Sequence, residues 1–169
     1  MHCLDPLQIK SWLSRIHLAG ADFLSGHVHG YVSSHLGNLS HFSAAQSMAV
    51  PRAIDARLWS TDPPQCLVWV VEHGIWSSSE NLSLYYCWRV AMGVSTPLED
   101  ASGHVFLPFE RDHMCSLLQL ACLFGWGIIC VAGDGTAGFT IDHDGKMIAF
   151  GNSVTRTEQL TAGFPSGRA

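Results

Sequence analysis

An unbroken apolar run, LVWVV at residues 67–71, constrains the fold of this chain most. A strand with one solvent-facing side alternates apolar and polar residues, whereas a strand covered on both faces is apolar throughout. The β-branched and Trp side chains of the run favour a strand over a helix. The run therefore predicts a buried strand that is covered on both faces.

A polar corner and a capped helix follow this strand. Ser77 and Glu80 have the spacing of a capping box, which satisfies free N–H groups at the start of a helix. Gly93 has the position of a C-terminal cap. The apolar stripe between these two ends consists of Leu84, Cys87, Trp88 and Ala91. We expect this stripe to pack on the sheet.

The remaining periodic segments complete a prediction of the fold class. A capped start at Asp5 predicts a helix over residues 6–18, and Pro108 opens another helix that ends near Gly125. A meander of short strands, separated by turn residues, is predicted at residues 128–132, 138–141 and 146–150. Together these elements predict an α+β fold, with an antiparallel or mixed sheet of about four to five strands packed against about two to three helices.

The length of 169 residues suits a single compact domain. We assign residues 1–151 to one α+β domain. Within it, residues 22–62 are poorly assigned, because Gly, Ser, His and Pro interrupt every periodic run. A strand at residues 28–32 and a short helix or turn at residues 53–59 are the elements considered for this segment. Residues 152–169 lack periodicity, which predicts a flexible tail.

Composition narrows the range of partners. Hydrophobic residues make up 47% of the chain and charged residues 14%, so the chain is globular and part of its apolar surface suits a protein partner or a homo-oligomer. The net charge is −5, and scattered Lys and Arg provide no basic stripe for nucleic acid. The apolar stretch at residues 117–132 contains Gly125 and Gly127 and is shorter than a span of about 20 residues, so no membrane association is predicted.

Cysteine usage indicates a soluble, cytoplasmic protein. The six cysteines form no C-x-x-C pair, and no signal-peptide pattern opens the chain. They are Cys3, Cys66, Cys87, Cys115, Cys122 and Cys130. We interpret them as free thiols in the core. Histidine spacing predicts no metal site, and no nucleotide-binding or hydrolase motif indicates a cofactor.

One set of motifs supports a resemblance over residues 65–145. The motifs are WVVEHGIW at 69–76, SSEN at 78–81, SGHVF at 102–106, FGW at 124–126 and DHD at 142–144. The chain thereby resembles a small group of bacterial proteins of unassigned function. Because that group has no assigned activity, the resemblance implies no catalytic residue.

The corner after the buried strand is the candidate site. Backbone N–H groups at a helix N-terminus bind anions, and the helix dipole assists. His73 could move a proton or contact a ligand, and Trp76 could form a flat wall, although capping and core packing explain Ser77, Glu80 and Trp76 equally well. The candidate binding residues are Glu72, His73, Trp76, Ser78, Ser79, Asn81, Trp126, Asp142 and His143. No catalytic residue is assigned.

Two functions are compatible with these features. The first is a non-enzymatic protein–protein interaction module, such as a small bacterial inhibitor, immunity-like or adaptor protein, because charge density is low and the chain has six Trp. The second is a small-molecule or anion-binding protein, or a hydrolase-like enzyme, that uses residues 72–81. A pocket at His73 would favour the second, whereas an exposed apolar patch that includes Trp76 or Trp126 would favour the first.

Overall fold

The computed structural model describes residues 1–18, 23, 28–59, 62–73, 82–97 and 100–165. These residues form one seven-stranded antiparallel sheet and five α-helices. The predicted α+β class is therefore confirmed. The sheet has more strands, and more helices accompany it, than the sequence periodicity predicted.

The strands and helices are numbered in chain order. The strands are β1 (His2–Leu4), β2 (Val32–Asn38), β3 (Cys66–Glu72), β4 (Gly103–Phe106), β5 (Gly127–Ala132), β6 (Ala137–Ile141) and β7 (Lys146–Gly151). The helices are α1 (Pro6–Arg15), α2 (Ala44–Leu58), α3 (Leu82–Ala91), α4 (Arg111–Phe124) and α5 (Val154–Thr161). The spatial order of the strands is β1-β4-β3-β5-β6-β7-β2.

The apolar run of β3 lies in the interior of the sheet, between β4 and β5. On one face, Val68 packs in a core built with α2, α4 and α5. On the other face, Leu67 packs in a core built with α1. Because both faces are covered, every position of this strand favours an apolar side chain. The predicted buried strand is confirmed.

Local signals placed several other elements correctly. Asp5 caps α1, where its carboxylate accepts from the Gln8 N–H at 2.8 Å and its own N–H donates to the Gln8 side chain at 2.9 Å. Gly125 ends α4 with φ 64°, a left-handed conformation that glycine adopts at no steric cost. The meander of β5, β6 and β7 lies within one residue of the predicted ranges. The apolar stretch at residues 117–132 is divided between α4 and β5, and no helix in the described ranges is long and apolar enough to cross a membrane.

Helix α3 turns a different face toward the sheet from the one that its apolar spacing predicts. Leu84 is 52% exposed and Cys87 is also exposed, whereas Tyr85 and Arg89 are buried. Tyr85 and Arg89 are four residues apart, so they share one face of the helix. That face is turned inward, where the Tyr85 hydroxyl hydrogen-bonds His104 of β4. The predicted packing stripe is therefore wrong for Leu84, Cys87 and Ala91, which are exposed, whereas Trp88 is partly buried and packs against the core.

Two poorly periodic segments form regular structure. Within residues 22–62, β2 begins where the suggested strand ends, and α2 starts well before the suggested helix, at a capping box formed by Ser43 and Gln46. The segment predicted as a flexible tail contains α5, whose Leu160 is fully buried. With only Thr157 and Leu160 buried, α5 has too few apolar positions for its periodicity to show in the sequence.

Candidate functional site

The predicted corner lies at one end of the central strands. Glu72 is the last residue of β3 and pairs with Gly127, the first residue of β5. His73 follows directly and is partly buried. Four of the other predicted binding residues, Trp76, Ser78, Ser79 and Asn81, lie outside the described residues. The anion cradle predicted from the capping box therefore stays a prediction.

The structure brings together two predicted residues that are distant in sequence, Glu72 and His143. The His143 Nδ1 lies 2.9 Å from the Glu72 Oε2, and the backbone N–H of His143 donates to the same oxygen at 3.4 Å. The hydrogen bond that Glu72 accepts from His143 raises the pKa of His143. Asp142 instead shapes the turn between β6 and β7, since its carboxylate accepts from the N–H groups of Asp144 and Lys146. Glu72 and His143 thus form a partly exposed acid–base pair.

Gly127 makes room for this pair. A Cβ at residue 127 would lie 2.3 Å from the Glu72 Oε2 and 2.7 Å from the Glu72 Cβ. Any side chain there would displace the Glu72 carboxylate from His143. Gly127 therefore allows β5 to lie close to the end of β3. The sequence did not reveal this role of the glycine.

Trp126 lies in the core and not on a binding surface. Its side chain is 1% exposed. Its ring meets Tyr85 edge to face, with centroids 5.1 Å apart, and lies 5.7 Å from the Phe124 ring. A side chain buried in this way cannot be the exposed partner contact that the sequence suggested.

A second polar group lies inside the fold, between α3, β4 and β1. We call it the Arg89 cluster. It consists of Cys3, Tyr85, Arg89, Thr96 and His104. Cys3 pairs with His104 across β1 and β4, and its sulfur lies 3.2 Å from the His104 Nδ1. The Tyr85 hydroxyl hydrogen-bonds the other ring nitrogen of His104.

His104 is uncharged in this cluster. Burial disfavours the imidazolium, and the nearby Arg89 cation adds repulsion, so the pKa of His104 falls to about 3. A neutral imidazole has one donor nitrogen and one acceptor nitrogen. Its two partners, the Cys3 thiol and the Tyr85 hydroxyl, can each donate or accept, so both nitrogens are satisfied.

Arg89 is the exceptional member of the cluster, because its guanidinium is buried without a counter-ion among the described residues. The side chain is 1% exposed. Its Nη2 donates to the Thr96 hydroxyl at 3.0 Å, and the guanidinium carbon lies 5.4 Å from the centroid of the Tyr85 ring. Within the described part of the chain, its Nε and Nη1 have no hydrogen-bond partner. An uncompensated buried charge costs roughly several kcal/mol, so this guanidinium favours an anion beside it.

The Cys3 thiol is partly exposed and close to Arg89. Burial raises the pKa of Cys3, while the positive charge of Arg89 acts in the opposite direction. All six cysteines are free, as predicted, but Cys3 is not a simple core thiol. It combines a partly accessible sulfur with a cation and an imidazole.

Sequence reasoning did not identify the Arg89 cluster. One signal was available: Tyr85 and Arg89 lie at i and i+4 in a helix that otherwise offers an apolar stripe. That spacing marks a polar face, yet it does not show that the face is buried. Cys3 and His104 could not be connected to it, because they lie 101 residues apart.

Among the described residues, no group of three or more His, Cys, Asp or Glu side chains is arranged so that it could hold a metal ion. Comparisons with protein-family models, with curated proteins and with solved structures find no match to this chain. The resemblance to a group of bacterial proteins therefore stays a prediction.

Proposed function

We propose that the protein binds a small anionic ligand, one that carries a carboxylate or phosphate group, at the Arg89 cluster. A single observation supports this proposal: the guanidinium of Arg89 is buried and leaves Nε and Nη1 without partners among the described residues. These two nitrogens carry three of the five N–H donors of an arginine side chain. The planar guanidinium matches carboxylate and phosphate oxygens, with which it forms its strongest hydrogen bonds.

The surroundings favour an anion that has an apolar or aromatic body. Tyr85 and Trp88 stack, with ring centroids 6.1 Å apart and an interplanar angle of 14°. His104 meets both rings edge to face and carries no charge. Arg89 would therefore supply the charge, while the ring of Trp88, which is partly exposed, would contact the remainder of the ligand. The sequence led us to expect anion binding at residues 72–81, and we now propose it at the Arg89 cluster instead.

Thermal unfolding in the presence of anions tests this proposal. We expect benzoate, acetate or phosphate to raise the Tm of the wild-type protein in a concentration-dependent way, because a ligand that binds only the folded state stabilises it by about 2.7 kcal/mol at 100 times its Kd. Sodium chloride at matched ionic strength controls for screening.

Two methionine variants make the test specific. Arg89→Met should abolish the anion-dependent rise in Tm. Arg111→Met removes an arginine that is already paired with Asp55 at 2.9 Å, so the rise should persist in that variant. If no anion stabilises the wild type, or if Arg89→Met responds as the wild type does, the proposed function is wrong.

We also propose that the outer face of α3 binds a protein, which retains the interaction function expected from composition. On this face Tyr86 and Val90 are 40% and 58% exposed. Helices commonly dock through apolar side chains spaced about one turn apart, as Tyr86 and Val90 are. The face is exposed because the helix turns Tyr85 and Arg89 inward.

Light scattering and affinity capture test this second proposal. The double variant Tyr86→Ser/Val90→Ser should lose self-association or capture of a stoichiometric partner. Phe109→Ser alters a residue that is 81% exposed outside α3, so it should retain both. Equal behaviour of the two variants would contradict the proposal, and circular dichroism would verify that each variant is folded.

A further inference from the structure

We infer that Cys3 exchanges with small disulfides that carry a carboxylate, and that Arg89 holds the carboxylate during the exchange. This inference rests on the proposed anion site, and it assigns that site a class of covalent ligand. Its geometric support is the proximity of three groups: the Cys3 thiol, the His104 Nδ1 at 3.2 Å from the sulfur, and the buried Arg89 guanidinium, whose Nε and Nη1 have no hydrogen-bond partner among the described residues.

Cys3 differs from the other cysteines in its access and surroundings. Cys66, Cys115 and Cys130 are buried, and Cys122 is partly exposed on α4. Cys87 is exposed, but it lies on the outer face of α3, away from the side that carries Arg89. Reactive thiols typically occupy electropositive, partly exposed places. Of the cysteines in the chain, Cys3 fits that description best.

The exchange balances without a further reactant. The Cys3 thiol releases its proton to solvent water, and the Cys3 thiolate attacks one sulfur of the ligand disulfide. A new S–S bond forms to that half of the ligand as the original S–S bond breaks. The other half leaves as a thiolate and takes a proton from solvent, which yields a free thiol. The disulfide is thus the oxidant, since Cys3 is oxidised as the leaving sulfur is reduced.

Each member of the cluster has a defined part in this step. Neutral His104 accepts a hydrogen bond from the Cys3 thiol on Nδ1 when its own hydrogen is on Nε2, where the Tyr85 hydroxyl oxygen can accept it. Arg89 would position the carboxylate, which raises the local concentration of the disulfide beside the sulfur. Tyr85 acts through His104 and is a positioning residue.

Reagents of different charge test the inference. We would treat the full-length protein, with any tag at its C-terminus, with the anionic 5,5′-dithiobis(2-nitrobenzoic acid), the neutral 2-hydroxyethyl disulfide or the cationic cystamine. Peptide mapping by mass spectrometry would follow the adducts at Cys3 and at Cys87 separately. We expect the anionic-to-cationic rate ratio to be roughly tenfold higher at Cys3 than at Cys87.

Variants assign the preference to Arg89. Arg89→Met should lower the rate ratio at Cys3 to that at Cys87, and Arg89→Lys should retain part of it because the charge is kept. Cys3→Ser should remove the adduct from that peptide and leave the Cys87 adduct unchanged. Equal ratios at Cys3 and Cys87 in the wild type, or no adduct at Cys3, would overturn the inference.

The thermal-unfolding experiment separates this failure from that of the proposed function. If anions raise the Tm of the wild type through Arg89 but Cys3 shows no charge preference, the covalent exchange is wrong and anion binding stands. If neither the Tm nor the Cys3 reaction responds to anions, both are wrong.

Discussion

Replacing Arg89 with methionine is expected to raise the free energy of unfolding of the ligand-free protein by about 1–3 kcal/mol, by analogy with buried ion pairs whose apolar replacements are often stabilising. Methionine fills a similar volume and removes a buried charge that has no counter-ion among the described residues. The loss of the hydrogen bond to Thr96 offsets the gain only in part, since such a bond contributes about 1 kcal/mol.

Urea denaturation of matched variants measures this effect. Arg111→Met should have the opposite sign and lower the free energy of unfolding by about 1–3 kcal/mol, because it leaves the buried Asp55 carboxylate without its cation. If Arg89→Met destabilises the protein as much as Arg111→Met does, Arg89 has a partner in the ligand-free protein. That result would contradict the proposed anion site.

Truncating Trp126 to alanine is expected to lower the free energy of unfolding by about 3–5 kcal/mol. The side chain is fully buried, and it packs against Tyr85 and Phe124. Its removal leaves a large cavity beside Tyr85, which belongs to the Arg89 cluster. The free energy of unfolding of a domain is typically only about 5–15 kcal/mol. A loss of about 3–5 kcal/mol should therefore give a poor yield of folded protein.

The measurement is again chemical denaturation, with Phe109→Ala as the control. Phe109 is 81% exposed, and a surface substitution usually changes stability by less than about 0.5 kcal/mol. A change of only about 1 kcal/mol for Trp126→Ala would show that the residue is not a core residue. It would also restore Trp126 as a candidate for the partner-binding surface.

At α3, the stability of the protein and its proposed function favour different arrangements. The helix buries Arg89 and exposes Leu84, Tyr86 and Val90, although its apolar spacing favours another orientation. Natural proteins break such local rules mainly at functional sites, where compensation comes from elsewhere in the fold. Here the compensation is a well-packed aromatic core around Tyr85 and Trp126.

Part of the candidate site was predictable from sequence. Glu72 and His143 were both identified, because each lies where a predicted strand gives way to a polar turn. Their hydrogen bond was not predicted, since it depends on β5 and β6 carrying His143 to the end of β3. The role of Asp142 as a turn residue agrees with the predicted hairpin.

The sequence by itself determined the local elements: the buried strand β3, the capped start of α1 and the meander from β5 to β7. These depend on short-range patterns of hydrophobicity, capping and turn residues, which need no knowledge of distant segments. Only the tertiary structure decided which face of α3 is buried and that Cys3, Arg89 and His104 meet. A helix that carries both an apolar stripe and a polar face can bury either one, and the choice depends on the strands against which it packs.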